Sequence, residues 1–388
     1  MPPVIGATTD ARALGGAPDV LVVGAGLGGL AAALAFARSG ASVRVVEQAP
    51  ALAEVGAGIT LTPNGARVLR ALGLDPAPWG VRVEAAEPFD ALTGRRLARY
   101  SADRAPSFFL HRADLLGLLR RAVEGAGVPI RLGARVREAT AEGVLLDSGE
   151  ALTASLVVGA DGIHSAIRRR VAGEGGPAFT GQVAWRGFAH APQPPVTRIW
   201  MAPGRHVVTY PLRCGRLNVV AVREEAGWAA EGWAHPDEPA SVLDAFGDCC
   251  GDLRAVLATL GEVRRWGLFR HPVPLRWHHG RHVLLGDAAH PTLPFLAQGA
   301  NLALEDAWVL AREAQSPGGL DRYGALRRPR ALRAIRAADA QARKLHLRGP
   351  ARTVAHLGLR ALDRVAPRLI PGRLDWLYGF DATATYST

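Results

Sequence analysis

The chain is poor in cysteine and nearly devoid of lysine. Only Cys214, Cys249 and Cys250 occur among 388 residues, too few and too unevenly spaced for a disulfide framework or a zinc site. Lys344 is the single lysine, so arginines carry the net charge of +11. They are scattered, with an enrichment between Asp321 and Arg348, and no aromatic-interleaved basic platform accompanies them. That pattern argues against a nucleic-acid partner. No stretch approaches the roughly 18 uninterrupted apolar residues of a membrane span. The opening MPPVIGATTDARALGGAP also lacks the basic start and apolar run of a secretory signal. A soluble cytoplasmic protein, monomer or homodimer, without a metal site or a membrane span is expected.

A hydrophobic share of 48% supports sizeable cores. Residues 1–17, rich in Gly, Ala and Pro, read as a flexible extension. Asp19–Val23 then reads as a buried strand, Gly24–Gly29 as a tight turn, Leu30–Ser39 as an alanine-rich helix and Val43–Val46 as a second buried strand. This βαβ unit implies a parallel, doubly wound sheet. Its Gly24-x-Gly26-x-x-Gly29 pattern suits close approach to a pyrophosphate. Glu47, about 20 residues on, suits an adenosine ribose and argues against a 2′-phosphate there. The motif leaves FAD and NAD undecided at this point.

Further along, Arg112–Glu124 reads as an amphipathic helix, followed by strand-like pieces at Ile130–Arg137, Gly143–Asp147 and Leu156–Val158. From about Gly181 to Trp277 the pattern changes to short alternating runs between Gly and Pro turns, which suggests antiparallel strands. Six of the nine tryptophans (Trp185, Trp200, Trp228, Trp233, Trp266 and Trp277) lie there, as core packing or cavity wall. Residues 278–310 return to the nucleotide-domain pattern, so the aromatic lobe is an insertion. This segment carries a strand, a Gly286-Asp287 turn, a loop stiffened by Pro291 and Pro294, and a helix opened by Gly299-Ala300-Asn301. A carboxylate beside a helix N-terminus suits a ligand with both sugar hydroxyls and an electron-rich carbonyl. A flavin has both.

Taken in order, Gly24–Gly29, Gly159-Ala160-Asp161-Gly162-Ile163-His164-Ser165 and Gly286-Asp287-Ala288-Ala289-His290-Pro291 resemble the class A FAD-dependent monooxygenases. This single-component group includes the p-hydroxybenzoate, salicylate and 3-hydroxybenzoate hydroxylases. Lesser matches at Gly56-Ala57-Gly58-Ile59, Thr62-Pro63-Asn64, His111–Leu115 and Trp376–Asp381 extend the resemblance from Leu21 to Asp381. It implies an α/β fold: a doubly wound, glutathione-reductase-like Rossmann domain for FAD (residues 18–180 and 278–345), an inserted antiparallel substrate sheet (181–277) and a C-terminal helical segment (346–388). It also implies bound FAD, with NADH or NADPH as transient co-substrate and O2 as oxidant. No second GxGxxG competes with that reading.

The resemblance assigns Gly24, Gly26, Leu27 and Gly29 to the FAD turn, Glu47 with Gln48 to the adenosine end, and Gly58 to a further contact. Arg112 would serve the phosphates or ribityl chain, Asp287 a ribityl hydroxyl, and Asp161 both FAD and NAD(P)H. Gly299 would bind the cofactor at the helix start, the N–H groups at Ala300 and Asn301 would face the flavin C2 carbonyl, and the Pro294 carbonyl would line the ring. Blander alternatives stand beside these roles: Arg112 as a surface cation, Asp161 as a helix cap near Ser165, and His290 as a structural residue.

Hydroxylation of a phenolic ring calls for a base or acceptor near the phenol. His206 and Tyr210, in a His-x-x-x-Tyr-Pro pattern similar to that of salicylate- and 3-hydroxybenzoate-type relatives, lie four apart on an expected strand and so share a face. They are candidates for that role, and a satisfied core pair is the alternative. Some relatives carry a polar residue at the position of Pro294 or a His at that of Thr60. This chain has neither, which leaves room for a larger or less polar substrate. The expected activity is FAD-dependent hydroxylation of an aromatic small molecule. Epoxidation, decarboxylative hydroxylation and a redox-silent FAD-binding protein are the alternatives.

Overall fold

The computed structural model describes residues 19–52, 58–103, 105–173, 175–228 and 235–384. The expected extension 1–17, Gly56 and Trp233 lie outside them. The described chain opens with β1 (Val20–Val23), passes through α1 (Leu27–Arg38) and returns parallel as β2 (Val43–Val46). All of β1 is buried, as strands covered on both faces require. β3 (Gly58–Leu61), α2 (Pro63–Ala71), β4 (Ala85–Asp90), β5 (Phe108–His111) and α3 (Arg112–Gly125) follow. The apolar stripe of α3 buries Leu115, Leu116, Leu119 and Val123, the 3.6-residue period written as packing.

Ile130–Arg137, expected as one strand, is two, Ile130–Arg131 and Val136–Ala139, in different sheets. Gly133 lies between them with φ +66°, a left-handed turn that no regular strand accommodates. β6 (Leu156–Gly159) then pairs parallel with β1 on the side away from β2, and α4 (Ala166–Ala172) follows. The inserted lobe supplies β7 (Ala178–Ala189), β8 (Val196–Ala202), β9 (Arg205–Pro211), β10 (Leu217–Glu224) and β11 (Leu260–Arg270). β12 (His282–Leu284) re-enters the first sheet beside β6. Three long helices follow, α5 (Gly299–Glu313), α6 (Gly319–Leu345) and α7 (Gly349–Val365), and then two short ones, Leu369–Gly372 and Asp375–Tyr378.

The nucleotide sheet therefore runs His278–His279, β12, β6, β1, β2, Ile130–Arg131, parallel except for the hairpin at its His278 edge. The second sheet runs His235–Asp237, β11, β7, β10, β9, β8, β4, Tyr100–Ser101. It is not confined to residues 181–277, because β4 pairs parallel with β8 and Ala178–Gln182 already belongs to β7.

Its two faces differ. Trp185, Trp200, Val207 and Val219 pack with Phe246, Leu253 and Leu257 from two short helices. The opposite face carries Ala184, Arg186 and Phe188 of β7, Asn218, Val220 and Val222 of β10, and His206, Val208 and Tyr210 of β9, cross-strand neighbours by register. Among the described residues no helix is long and apolar enough to cross a membrane.

Candidate active site

At the end of β1 the three glycines have three separate causes. Gly24 has φ +102°, and a Cβ there would lie 2.4 Å from the Ala160 carbonyl oxygen. At Gly29 a Cβ would lie 1.9 Å from the Gly24 carbonyl oxygen, whereas at Gly26 it would meet nothing within 4 Å. Gly26 thus leaves the start of α1 bare. That start has no side-chain cap, so its N–H groups and the positive helix end are available to phosphate oxygens. Leu27 beside it is buried and belongs to the core.

Glu47 closes the same turn: its Oε2 accepts a hydrogen bond from the Ala25 N–H at 2.7 Å and its Oε1 one from the Ala49 N–H at 2.9 Å. Gln48 next to it is exposed. Asp161 does act as a cap, its Oδ2 accepting from the N–H groups of Ala166 at 2.8 Å and Ile167 at 3.3 Å. Its Oδ1 is buried with no partner among the described residues. Burial raises the Asp161 carboxyl above its ordinary value against those hydrogen bonds. Asp287 is exposed at its turn. The protein crowding around it raises its carboxyl, and the charges of His290 and Arg112 pull it back. Arg112, at the start of α3, is therefore brought to the Asp287 turn although the two are far apart in sequence.

The helix α5 starts at Gly299, and again no side chain caps it. Gln298, at the cap position, bonds away from the helix instead. Its Nε2 donates to the Thr62 Oγ1 at 3.1 Å and its Oε1 accepts from the Asn64 Nδ2 at 3.0 Å. Asn301 joins the same web. Its Oδ1 accepts from the Thr62 N–H at 3.0 Å and its Nδ2 donates to the Thr60 carbonyl at 3.0 Å. Gly65 makes room, since a Cβ there would lie 2.1 Å from the Asn301 Oδ1. The side chain of Asn301 thus locks α5 onto β3 and α2, while the first N–H groups of the helix stay uncapped. His290 is structural: fully buried, it meets the Asp306 carboxylate at 2.5 Å, and the Arg327 Nε donates to the same carboxylate at 2.7 Å. Gly286 also donates its N–H to Asp306, at 3.2 Å.

His206 and Tyr210 share the inward face of the sheet, and their rings diverge along it. The Tyr210 ring stacks on Phe109 at 4.8 Å. Its hydroxyl is held up by burial, with Arg186 and the Thr60 hydroxyl acting against the shift. Gly58 abuts this wall: its N–H donates to the Asn218 Oδ1 at 2.7 Å, and a Cβ would lie 2.8 Å from the Tyr210 ring. The His206 ring lies 5.5 Å from that of Phe295, which follows Pro294 in the Pro294–Leu296 turn. The turn after Asp287 and the inward sheet face therefore meet at His206. Between the two rings and two strands over, Arg186 lies across the Trp266 ring at 5.4 Å. Among the described residues no carboxylate pairs with it. Burial lowers its pKa, Tyr210 opposes that shift and Arg112 adds to it.

A family model described as an FAD binding domain matches residues 17–338. The chain belongs to the class A flavoprotein monooxygenases. A 3-amino-4-hydroxybenzoate 2-monooxygenase from Streptomyces cremeus is 39% identical over 93% of this chain and 94% of its own length. A 3-hydroxybenzoate 6-hydroxylase from Aquipseudomonas alcaligenes is 32% identical over 95% of this chain and 99% of its own. Among solved structures, Klebsiella pneumoniae HpxO complexed with FAD and uric acid aligns with a TM-score of 0.81 at 26% identity, covering 92% of this chain and 95% of that one. This flavin monooxygenase is an FAD-dependent aromatic hydroxylase.

FAD fits the residues present. The open approach at Gly26, the two uncapped helix starts and the unpartnered Asp161 Oδ1 match a dinucleotide with a flavin at one end. Arg186 escaped the sequence reading. Its signal was an arginine alternating with Ala184 and Phe188 on the inward side of an otherwise apolar strand, which the period-2 pattern exposes only once the strand's bounds are known. Glu305, bound at once to Asn64, Arg327 and Arg330, was missed as well, since its partners lie far off in sequence.

Proposed function

We propose that this monooxygenase hydroxylates a phenolic aromatic acid of the 3-amino-4-hydroxybenzoate kind. The observation that carries the reading is Arg186, a guanidinium on the inward sheet face with an aromatic on one side and no carboxylate partner among the described residues. A half-buried cation with no anion beside it is partly desolvated at a cost, and a ligand carboxylate relieves that cost with a bidentate, charge-assisted pair. Relatives named for aminohydroxybenzoate at 35–39% identity point the same way. The polar residue absent at Pro294 and the histidine absent at Thr60 are then replaced by an anion site elsewhere.

FAD held there would supply the redox chemistry, the oxidation of NAD(P)H and the activation of O2 for insertion into the ring. The chain's own residues do the rest. Gly24, Gly26, Leu27 and Gly29 with Glu47 and Gln48 hold the adenosine and pyrophosphate end, and Arg112, Asp161, Asp287 and Gly58 the middle. The N–H groups of Gly299, Ala300 and Asn301 offer a positive helix end to the ring carbonyl. The Pro294 carbonyl borders the ring, Arg186 orients the acid, and His206 and Tyr210 receive the phenol. Three free thiols fit a reducing cytoplasm.

The test is NAD(P)H oxidation by the yellow enzyme with 3-amino-4-hydroxybenzoate and with 2-aminophenol, which lacks the carboxylate. The acid is expected to be the better stimulant. Arg186→Met should raise its KM by about 10–100-fold, the loss of one charge-assisted pair, with little change for the aminophenol. Equal stimulation by both compounds in the parent enzyme would overturn the reading.

A further inference from the structure

We propose that Glu224 and His346 act as positioning residues that make the Nε2 of His206 a proton acceptor for the substrate phenol and carry that proton out to solvent. The inference rests on the functional reading above, and its geometry comes from a continuous chain of side chains. The Nδ1 of His206 lies 2.7 Å from the Nε2 of His346, and the Nδ1 of His346 lies 3.1 Å from the Glu224 Oε1. Arg348 grips the other Glu224 oxygen. Both histidines are buried, whereas the Glu224 side chain is 41% exposed and that of Arg348 63%. The chain runs from the inward sheet face to water.

A carboxylate only accepts hydrogen bonds. The His346 Nδ1 therefore carries the hydrogen that points at Glu224, which leaves its Nε2 as an acceptor in the neutral ring. His206 must then donate from Nδ1, and its Nε2 keeps a lone pair. Among the described residues nothing pairs with that Nε2. The wiring is rigid: the Gly204 N–H of the β8–β9 hairpin donates to the His346 carbonyl at 3.1 Å, and the Glu224 N–H donates to the Gly204 carbonyl at 3.0 Å.

An isolated His206 would make a poor base. Burial, and then the neighbouring His346, hold its pKa well below the ordinary value. A relay removes that obstacle, because no histidine has to keep the charge. The phenol O–H bond breaks as an N–H bond forms at His206 Nε2, the Nδ1 proton passes to His346 Nε2, and the His346 Nδ1 proton passes to the Glu224 Oε1, from which water takes it. The phenolate left behind shares its face with Arg186. Partial burial would raise the Glu224 carboxyl, yet its hydrogen bonds to Arg348 and His346 keep it below its ordinary value and so ionised to receive the proton. The other charges nearby are engaged elsewhere: Arg205 with Asp248, and Arg223 with Glu225.

Two measurements on the FAD-loaded enzyme test the relay. Histidine ring 15N spectra should show His206 as the Nδ1–H tautomer, with that preference lost in Glu224→Gln and restored in Glu224→Asp. Ultraviolet titration of bound 3-amino-4-hydroxybenzoate, without NAD(P)H, should show its phenol ionising at lower pH than in water. In His346→Gln and Glu224→Gln that pH should rise by about one unit, a tenfold loss of phenolate. Variants that bind the ligand and ionise it at the parent pH would overturn the relay. If the parent enzyme binds no phenolic acid, the functional reading falls instead, and the tautomer then decides: an unchanged Nδ1–H His206 in Glu224→Gln overturns the relay by itself.

Discussion

A Cβ at Gly29 would overlap the Gly24 carbonyl, while one at Gly26 would enter open space on extended backbone, φ −71° and ψ −179°. Two substitutions within one turn should therefore fail in different ways. Gly29→Ala should destabilise the FAD-free protein by about 1–3 kcal/mol through forced displacement of the turn. Gly26→Ala should leave FAD-free stability within about 0.5 kcal/mol of the parent and yet weaken FAD retention, since the methyl occupies the approach to the pyrophosphate. Thermal melts of FAD-stripped protein alongside flavin absorbance separate the two, and equal destabilisation by both would sink the assignment. The turn itself was legible in the sequence because the motif's spacing fixes it. Arg186 was not, because one arginine among so many differs from the rest only in what surrounds it.

At the scale of the element, α5 is held by side chains that its own sequence does not explain. Asp306 receives the Gly286 N–H, the Arg327 guanidinium and His290, so one carboxylate joins the Asp287 turn, α5 and α6. Burial would raise its pKa, but His290 and Arg327 outweigh burial and bring it down to about 2. A depressed folded-state carboxyl contributes stability that is present above its ordinary value of 3.8 and lost as the pH falls through about 2. Asp306→Asn should cost about 3 kcal/mol at neutral pH by leaving a buried charge network incomplete, and FAD should be released more readily as the Gly286–His290 turn loosens. The stability gap between parent and variant should close as the pH drops from about 4 towards 2. Melting curves across that range check it, and a constant gap would detach Asp306 from acid sensitivity. The start of α5 could be read from Gly299 and its preceding loop. The partners of His290 and Asp306 could not, because they are assembled from separate stretches of the chain.

The whole molecule joins its lobes more thoroughly than an insertion between two halves of a nucleotide domain suggests. The sequence pattern located the aromatic strands well, since alternation and turn residues are local signals. It did not show that β4, from a stretch before the lobe, lies parallel against β8, because a parallel partner leaves no mark on nearby sequence. The Arg270 guanidinium of β11 further pairs with Asp339 on α6, and the Gly58 N–H of β3 with Asn218 on β10. Cut out as residues 178–277, the lobe would lose β4 and expose the full hydrogen-bonding edge of β8, a template for pairing with other chains. It would also bare Leu268 and Val222, which now pack with Leu293. Expressed alone, this fragment should aggregate or give a poorly dispersed amide spectrum. A monomeric fragment with a dispersed spectrum would instead make the lobe an autonomous domain, and the inward face carrying His206, Tyr210 and Arg186 would then owe its shape to the lobe alone.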